Sequence, residues 1–92
     1  MLKDLFIRLE NGICVKLTES ANGPAEDDYD GAIGIYAYDE NGIEIGDCGE
    51  MDYMEGDYCD MRDAVEDMFR FAKLPVLPYE EITEDEFYEL VG

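Results

Sequence analysis

The sequence predicts an α+β domain in which a three-stranded antiparallel sheet carries its helices on one face, in the order α-β-β-β-α-α. Three observations lead there. Met61, Ala64, Val65, Met68, Phe69 and Ala72 recur at helical spacing as one apolar stripe. The stretch GAIGIYAYDENGIEIGDC alternates apolar and polar residues on either side of a turn. Thr83-Glu84-Asp85-Glu86 forms a capping box, with Ile82 before it and Phe87 after it as a hydrophobic staple.

Leu2, Leu5, Phe6 and Leu9 follow the i, i+3, i+4, i+7 spacing, which predicts an opening helix ended by Asn11-Gly12. A hairpin through Asn11-Gly12 competes. With a two-residue turn, however, it pairs Arg8 with Val15 and Ile7 with Lys16, mixing polar and apolar side chains on both faces. Ile13, Val15 and Leu17 then alternate with Cys14, Lys16 and Thr18 as a first strand. Residues 19–31 combine Gly, Pro, Asn and Asp and read as a loop. In the hairpin that follows, Ile33, Ile35 and Ala37 alternate with Tyr36 and Tyr38. Asp39-Glu40-Asn41-Gly42 turns the chain, and a two- or four-residue loop returns Ile43 and Ile45 on the face of Tyr36 and Tyr38.

Between residues 50 and 60, Glu50 and Asp52 alternate with Met51 and Tyr53, and the phase slips at Met54-Glu55. Gly56 breaks this acidic extension of the sheet, and Asp60 is placed to cap the main helix. Asp63 in its first turn and Arg70 and Lys73 at its end suit the helix dipole, and Leu74-Pro75 stops it. Phe87, Leu90 and Val91 give the last helix an apolar edge. No internal repeat is evident, and residues 1–92 read as a single acidic domain.

Charge narrows the function. The 92 residues hold 25 acids against 6 bases, a net charge of −19, and no His. From Leu17 to Met61, and again from Leu74 to the end, every charged side chain is an acid. Phosphates are repelled by such a chain, so direct nucleic-acid binding is disfavoured, as are anionic membranes. The opening MLKDLFIRLE is too short and charged for a signal peptide. No apolar run approaches the ~20 residues of a membrane span. Cys14, Cys48 and Cys59 form no CxxC motif, which disfavours a disulfide framework or a zinc site and fits the reducing cytoplasm.

Catalysis lacks its usual nucleophile and base pairs: there is no His, and Ser20 is the single serine. A non-enzymatic protein without cofactor is expected. Glu26, Asp28, Asp30, Gly31 and Ile33 follow the start of an EF-hand loop, but Ala37 stands where the bidentate Glu belongs, so no metal site is expected. Halophilic adaptation also produces acid-rich chains. It spreads the acids evenly, whereas here the bases are segregated.

The expected role is recognition. Carboxylates on strands and helices stand roughly 5–7 Å apart, of the order of successive phosphates. Arg grips carboxylate and phosphate with the same bidentate geometry. A folded acidic surface can therefore occupy a groove built for nucleic acid, with Tyr29, Tyr36, Tyr38, Tyr53 and Tyr58 as candidate anchors. The segments KDLFIRLENGICVKL, IGIYAYDENGIEI and EEITEDEFYEL, with the predicted element order, resemble small acidic phage anti-CRISPR proteins that inhibit the type II RNA-guided nuclease.

The resemblance implies that the acidic turn and the acids before the last helix enter the groove that reads the PAM. By position these are Asp39, Glu40 and Asn41 at the turn, and Glu80, Glu81, Glu84 and Asp85 before the helix. Asp52, Glu55 and Asp57 in the additional acidic segment complete the expected partner-binding set. The expected partner is a basic nucleic-acid-binding protein, with a CRISPR RNA-guided nuclease as the leading instance. The alternatives are an acidic module for another basic partner, of anti-restriction, regulatory or chaperone type, or a halophile-type domain without a charge-based site.

Overall fold

A computed structural model describes residues 2–91. The observed strands are β1 (Leu5–Leu9), β2 (Cys14–Glu19), β3 (Gly31–Tyr38), β4 (Glu44–Tyr53) and β5 (Tyr79–Glu81), with helices α1 (Met61–Phe71) and α2 (Glu84–Val91). They form one five-stranded antiparallel sheet in the order β4-β3-β2-β1-β5, and the chain runs β-β-β-β-α-β-α. The expected three-stranded sheet with an opening helix is therefore corrected in strand number and in element order.

The segment expected as the first helix is β1, and its register explains the error. Leu9 N donates to Ile13 O at 2.8 Å and Gly12 N to Leu9 O at 3.0 Å. The loop is thus three residues long, a tight turn followed by Gly12 at φ 90°. That pairs Leu5 with Leu17 and Ile7 with Val15 on one face, and Phe6 with Lys16 and Arg8 with Cys14 on the other. The mixed faces of the two-residue register disappear, and Gly12 closes a hairpin instead of capping a helix.

The second hairpin repeats the device. Glu10-Asn11-Gly12-Ile13 and Glu40-Asn41-Gly42-Ile43 are the same tetrapeptide. Asp39 N donates to Ile43 O, and Gly42 N to Asp39 O, both at 2.9 Å. Three residues again form the loop, so Ile45 pairs with Ala37 and packs toward the main core, while Glu44 pairs with Tyr38. The expectation that Ile43 and Ile45 share the face of Tyr36 and Tyr38 is corrected accordingly. A bulge opposite Tyr36 then takes up two extra residues of β4.

The helices lie on opposite faces, which corrects their expected placement on one. α1 lays Met61, Ala64, Val65, Met68 and Phe69 on Ile7, Val15, Leu17, Ile33 and Ile35. Its ends follow the sequence logic: Asp60 accepts from Asp63 N, and Leu74 N reaches back to Phe69 O at 2.9 Å with Lys73 at φ 58°. α2 covers the other face at one end, burying Phe87 with Phe6 and Cys14 beside Tyr38, Ile82 and Val91. Thr83 and Glu86 form the expected capping box, with Glu86 N donating to Thr83 Oγ1 at 3.1 Å.

Candidate functional site

α2 crosses its face of the sheet from the β1–β5 edge, where Ile82 N donates to Phe6 O, to the tip of the β3–β4 hairpin. There Gly42 lies so close to Val91 that a Cβ on it would meet the Val91 carbonyl oxygen at 2.5 Å. The rest of this face is formed by β2, β3 and β4. Tyr36 folds over Gly34, and Tyr38 packs edge-on against Phe87 at 5.8 Å between centroids. Lys16 Nζ is held 3.2 Å from Tyr88 Oη, between the rings of Tyr36 and Tyr88. Tyr36 and Tyr38 therefore build the face.

Register places Glu44 opposite Tyr38 and Glu50 opposite Gly34, so both carboxylates project on the α2 side of edge strand β4. Their partners Tyr38 and Gly34 are four residue steps apart on β3, which puts the two carboxylates roughly 13 Å apart. Glu84, Asp85 and Glu89 are exposed on α2. Among the described residues none of these five carboxylates is in an ion pair, and Glu44 lies within hydrogen-bonding reach of the Cys48 thiol. Exposed Tyr88 and Leu90 lie among those on α2.

The ten expected residues fall into three places. Glu40 and Asn41 are exposed at the β3–β4 tip, beside the last turn of α2. Asp39 beneath them is occupied: its Oδ1 accepts from Asn41 N at 2.8 Å and from Ile43 N at 3.0 Å. Glu80, Glu81, Glu84 and Asp85 gather at the β5 edge, separated from the tip by the ~10–12 Å length of α2. Glu81 there is bound by both Nε and Nη2 of Arg62, at 2.6 and 2.7 Å, and this pairing holds its carboxyl below the ordinary range.

Asp52, Glu55 and Asp57 lie at the far end of the sheet, roughly 23 Å along the β3–β4 ladder from the tip. Asp52 accepts from Ala25 N and Glu26 N at 3.0 and 3.1 Å, pinning the β2–β3 loop. Asp57 accepts from Met54 N at 3.0 Å, and Glu55 N donates to Asp30 Oδ2. The hairpin acids and the acids before α2 thus do not meet at one point, and Asp39, Asp52, Asp57 and Glu81 have intramolecular partners. Glu44, Glu50 and Glu89 were missed. A three-residue loop would have assigned the faces of Glu44 and Glu50 from sequence, and Glu89 was readable on α2.

At that far end a cavity of about 620 Å³ opens between the β2–β3 loop and the β4–α1 connection. Tyr53 donates to Glu19 Oε1, and Tyr58 donates to Asp67 Oδ2 at 2.9 Å. Burial first, then these carboxylates, push both phenols up to about 12. Of the candidate anchors, Tyr53 and Tyr58 are thus bonded inward, and Tyr29 is exposed. Among the described residues no group of three or more Asp, Glu or Cys side chains is arranged to hold a metal ion. All three cysteines are unpaired, and burial raises the thiols of Cys14 and Cys48. Among the described residues no helix is long and apolar enough to cross a membrane.

The element order shared with the anti-CRISPR family in the sequence reading is not the order of this chain. Comparison with protein-family models, curated proteins and solved structures finds no match.

Proposed function

We propose that the protein is a non-enzymatic inhibitor that presents carboxylates in place of phosphates to the DNA-binding groove of a basic protein, with a CRISPR-type nuclease as the first target to examine. The observation that carries this reading is the α2 face. Glu44 and Glu50 on a strand, and Glu84, Asp85 and Glu89 on a helix, stand on rigid elements without cationic partners among the described residues. The bases are elsewhere or occupied. Arg62, Arg70 and Lys73 are in ion pairs on the α1 side, and half-buried Lys16, the cation on the α2 face itself, is flanked by Tyr36 and Tyr88. Arg8 remains at the β5 margin of the face, opposite Glu80.

Single exposed ion pairs contribute only ~0–1 kcal/mol each, so a mimic works through several at once. Rigid placement supports this, because little ordering cost is incurred on binding. Tyr88 and Leu90 supply apolar contact among the α2 charges.

Mixing the protein with purified nuclease, with and without guide RNA, tests the reading. Co-elution on gel filtration and suppressed DNA cleavage are expected. No complex and unchanged cleavage sink the nuclease assignment. An acidic module for some other basic partner is separated by competition: duplex DNA must displace a mimic from its partner, and need not displace a module bound elsewhere.

A further inference from the structure

The chain contains three asparagines, and each is followed by glycine: Asn11-Gly12, Asn22-Gly23 and Asn41-Gly42. Each pair closes the same local turn. Gly12 N donates to Leu9 O at 3.0 Å, Gly23 N to Ser20 O at 3.3 Å, and Gly42 N to Asp39 O at 2.9 Å, with all three glycines at positive φ. What differs is the support beneath the turn.

The Asn11 turn closes the β1–β2 ladder, and its carboxamide Oδ1 accepts from Ile13 N at 3.2 Å. The Asn41 turn closes the β3–β4 ladder. Asp39 Oδ1 ties down two of its backbone N–H groups, and the Val91 carbonyl backs Gly42. The Asn22 turn closes no ladder. It lies in the loop between β2 and β3, with Asn22 exposed, the longest of the three closing bonds, and only Ser20 Oγ accepting from Asn22 N at 3.3 Å.

We propose that Asn22 is a site of spontaneous backbone-assisted modification in the folded protein, and that Asn11 and Asn41 are protected by their hairpins. The Gly23 nitrogen attacks the Asn22 side-chain carbonyl carbon. The new C–N bond closes a succinimide ring, and the side-chain amide nitrogen leaves as ammonia, taking the proton lost from Gly23 N. Water then opens either imide bond, giving aspartate or isoaspartate. No oxidant or cofactor enters.

The attacking nitrogen must be released from its turn bond and rotate toward the side chain, so local opening controls the rate. Opening a ladder-supported turn breaks more bonds than opening the Asn22 turn, which slows Asn11 and Asn41 by on the order of tenfold or more.

The product has a structural consequence. Ser20, Ala21 and Gly23 line the cavity that also holds Glu19, Asp30 and Tyr53, so a new carboxylate at exposed Asn22 stands beside an acidic wall without forming part of it. Isoaspartate also lengthens the main chain within a loop fixed at Ser20, whose N donates to Ala32 O, and at Ala25 and Glu26, held by Asp52. This inference is independent of the proposed inhibitor role.

Ageing the intact protein in mildly alkaline buffer, with peptide mapping by mass spectrometry over time, tests it. In the folded protein Asn22 converts first, by on the order of tenfold, and in denaturant the three rates converge. Asn22→Gln removes the early acidic species, whereas Asn11→Gln and Asn41→Gln leave it. Conversion of Asn11 or Asn41 at the rate of Asn22 in the folded protein overturns the proposal. So does an unreactive Asn22, or a preference for Asn22 that persists undiminished in denaturant.

Discussion

Arg62 on α1 grips Glu81 on β5 through Nε and Nη2, at 2.6 and 2.7 Å, and so ties the shortest strand of the sheet to the helix on its main face. β5 has three residues, all exposed, and this pairing joins its ladder with β1 in holding it. The hydrogen bond from Arg62, more than its charge alone, depresses the Glu81 carboxyl. A depressed carboxyl adds stability above its unfolded pKa that is lost as pH falls through the lower folded value. Arg62→Ala is therefore expected to lower the urea midpoint at neutral pH and to lose that deficit in acid, where wild type and variant converge. A deficit of equal size at all pH values would refute the role of this pair.

Gly12 and Gly42 close equivalent loops but differ in their surroundings. A Cβ at Gly12 meets nothing within 4 Å, while one at Gly42 meets the Val91 carbonyl oxygen at 2.5 Å. Gly12→Ala should cost about 1–2 kcal/mol, the backbone penalty alone. Gly42→Ala adds a collision with helix backbone, for about 2–4 kcal/mol in all. Equal losses in chemical denaturation would contradict the contact between the hairpin tip and α2.

Phe87 is the buried anchor of α2, with Phe6 at 5.3 Å and Tyr38 at 5.8 Å between ring centroids. Phe87→Ala is expected to cost about 3–5 kcal/mol. Hydrogen exchange should show α2 opening well before α1, whose core lies on the other side of the sheet. Uniform loss of protection across both helices would show that the two faces are not separable.

Burial, and then the Glu19 and Asp67 carboxylates, push the Tyr53 and Tyr58 phenols up to about 12, against 10.0 for an ordinary phenol. Because the folded pKa is raised, the stability these groups contribute is complete below the unfolded value and is lost as pH rises toward the folded one. Absorbance titration should show Tyr53 and Tyr58 among the late phenols, with Tyr38 also raised by burial, and stability falling between about 10 and 12. Replacing Tyr53 and Tyr58 by Phe should shrink the late phase by two phenols. A single transition near 10 for every tyrosine would rule out the inward bonds to Glu19 and Asp67.

The helices were legible because their signals are local. The α1 stripe, the Asp60 cap and the Pro75 stop need no knowledge of the rest of the chain, and neither does the Thr83–Glu86 box. β1 was not legible because both faces of the sheet are covered around it. Ile7 faces α1 and Phe6 faces α2, so the polar alternation that marks a half-exposed strand is missing. β5 is too short and exposed to carry any periodicity. At the candidate site, acidity was plain from sequence, but capture of Asp39 and Asp52 by backbone N–H groups depends on turn geometry. The faces of Glu44 and Glu50 depend on the loop holding three residues instead of the expected two or four.

The central claim is that the α2 face substitutes for DNA. Its most direct test compares two variants that lose the same charge, in competition with duplex DNA for guide-loaded nuclease. One neutralises Glu44, Glu50 and Glu89 to Gln. The other carries Glu26→Gln, Asp27→Asn and Asp28→Asn in the β2–β3 loop. The account predicts that wild type and the loop variant compete with DNA, more weakly as salt rises, and that the α2-face variant does not. Equal competition by both variants, or binding that duplex DNA leaves undisturbed, would contradict it.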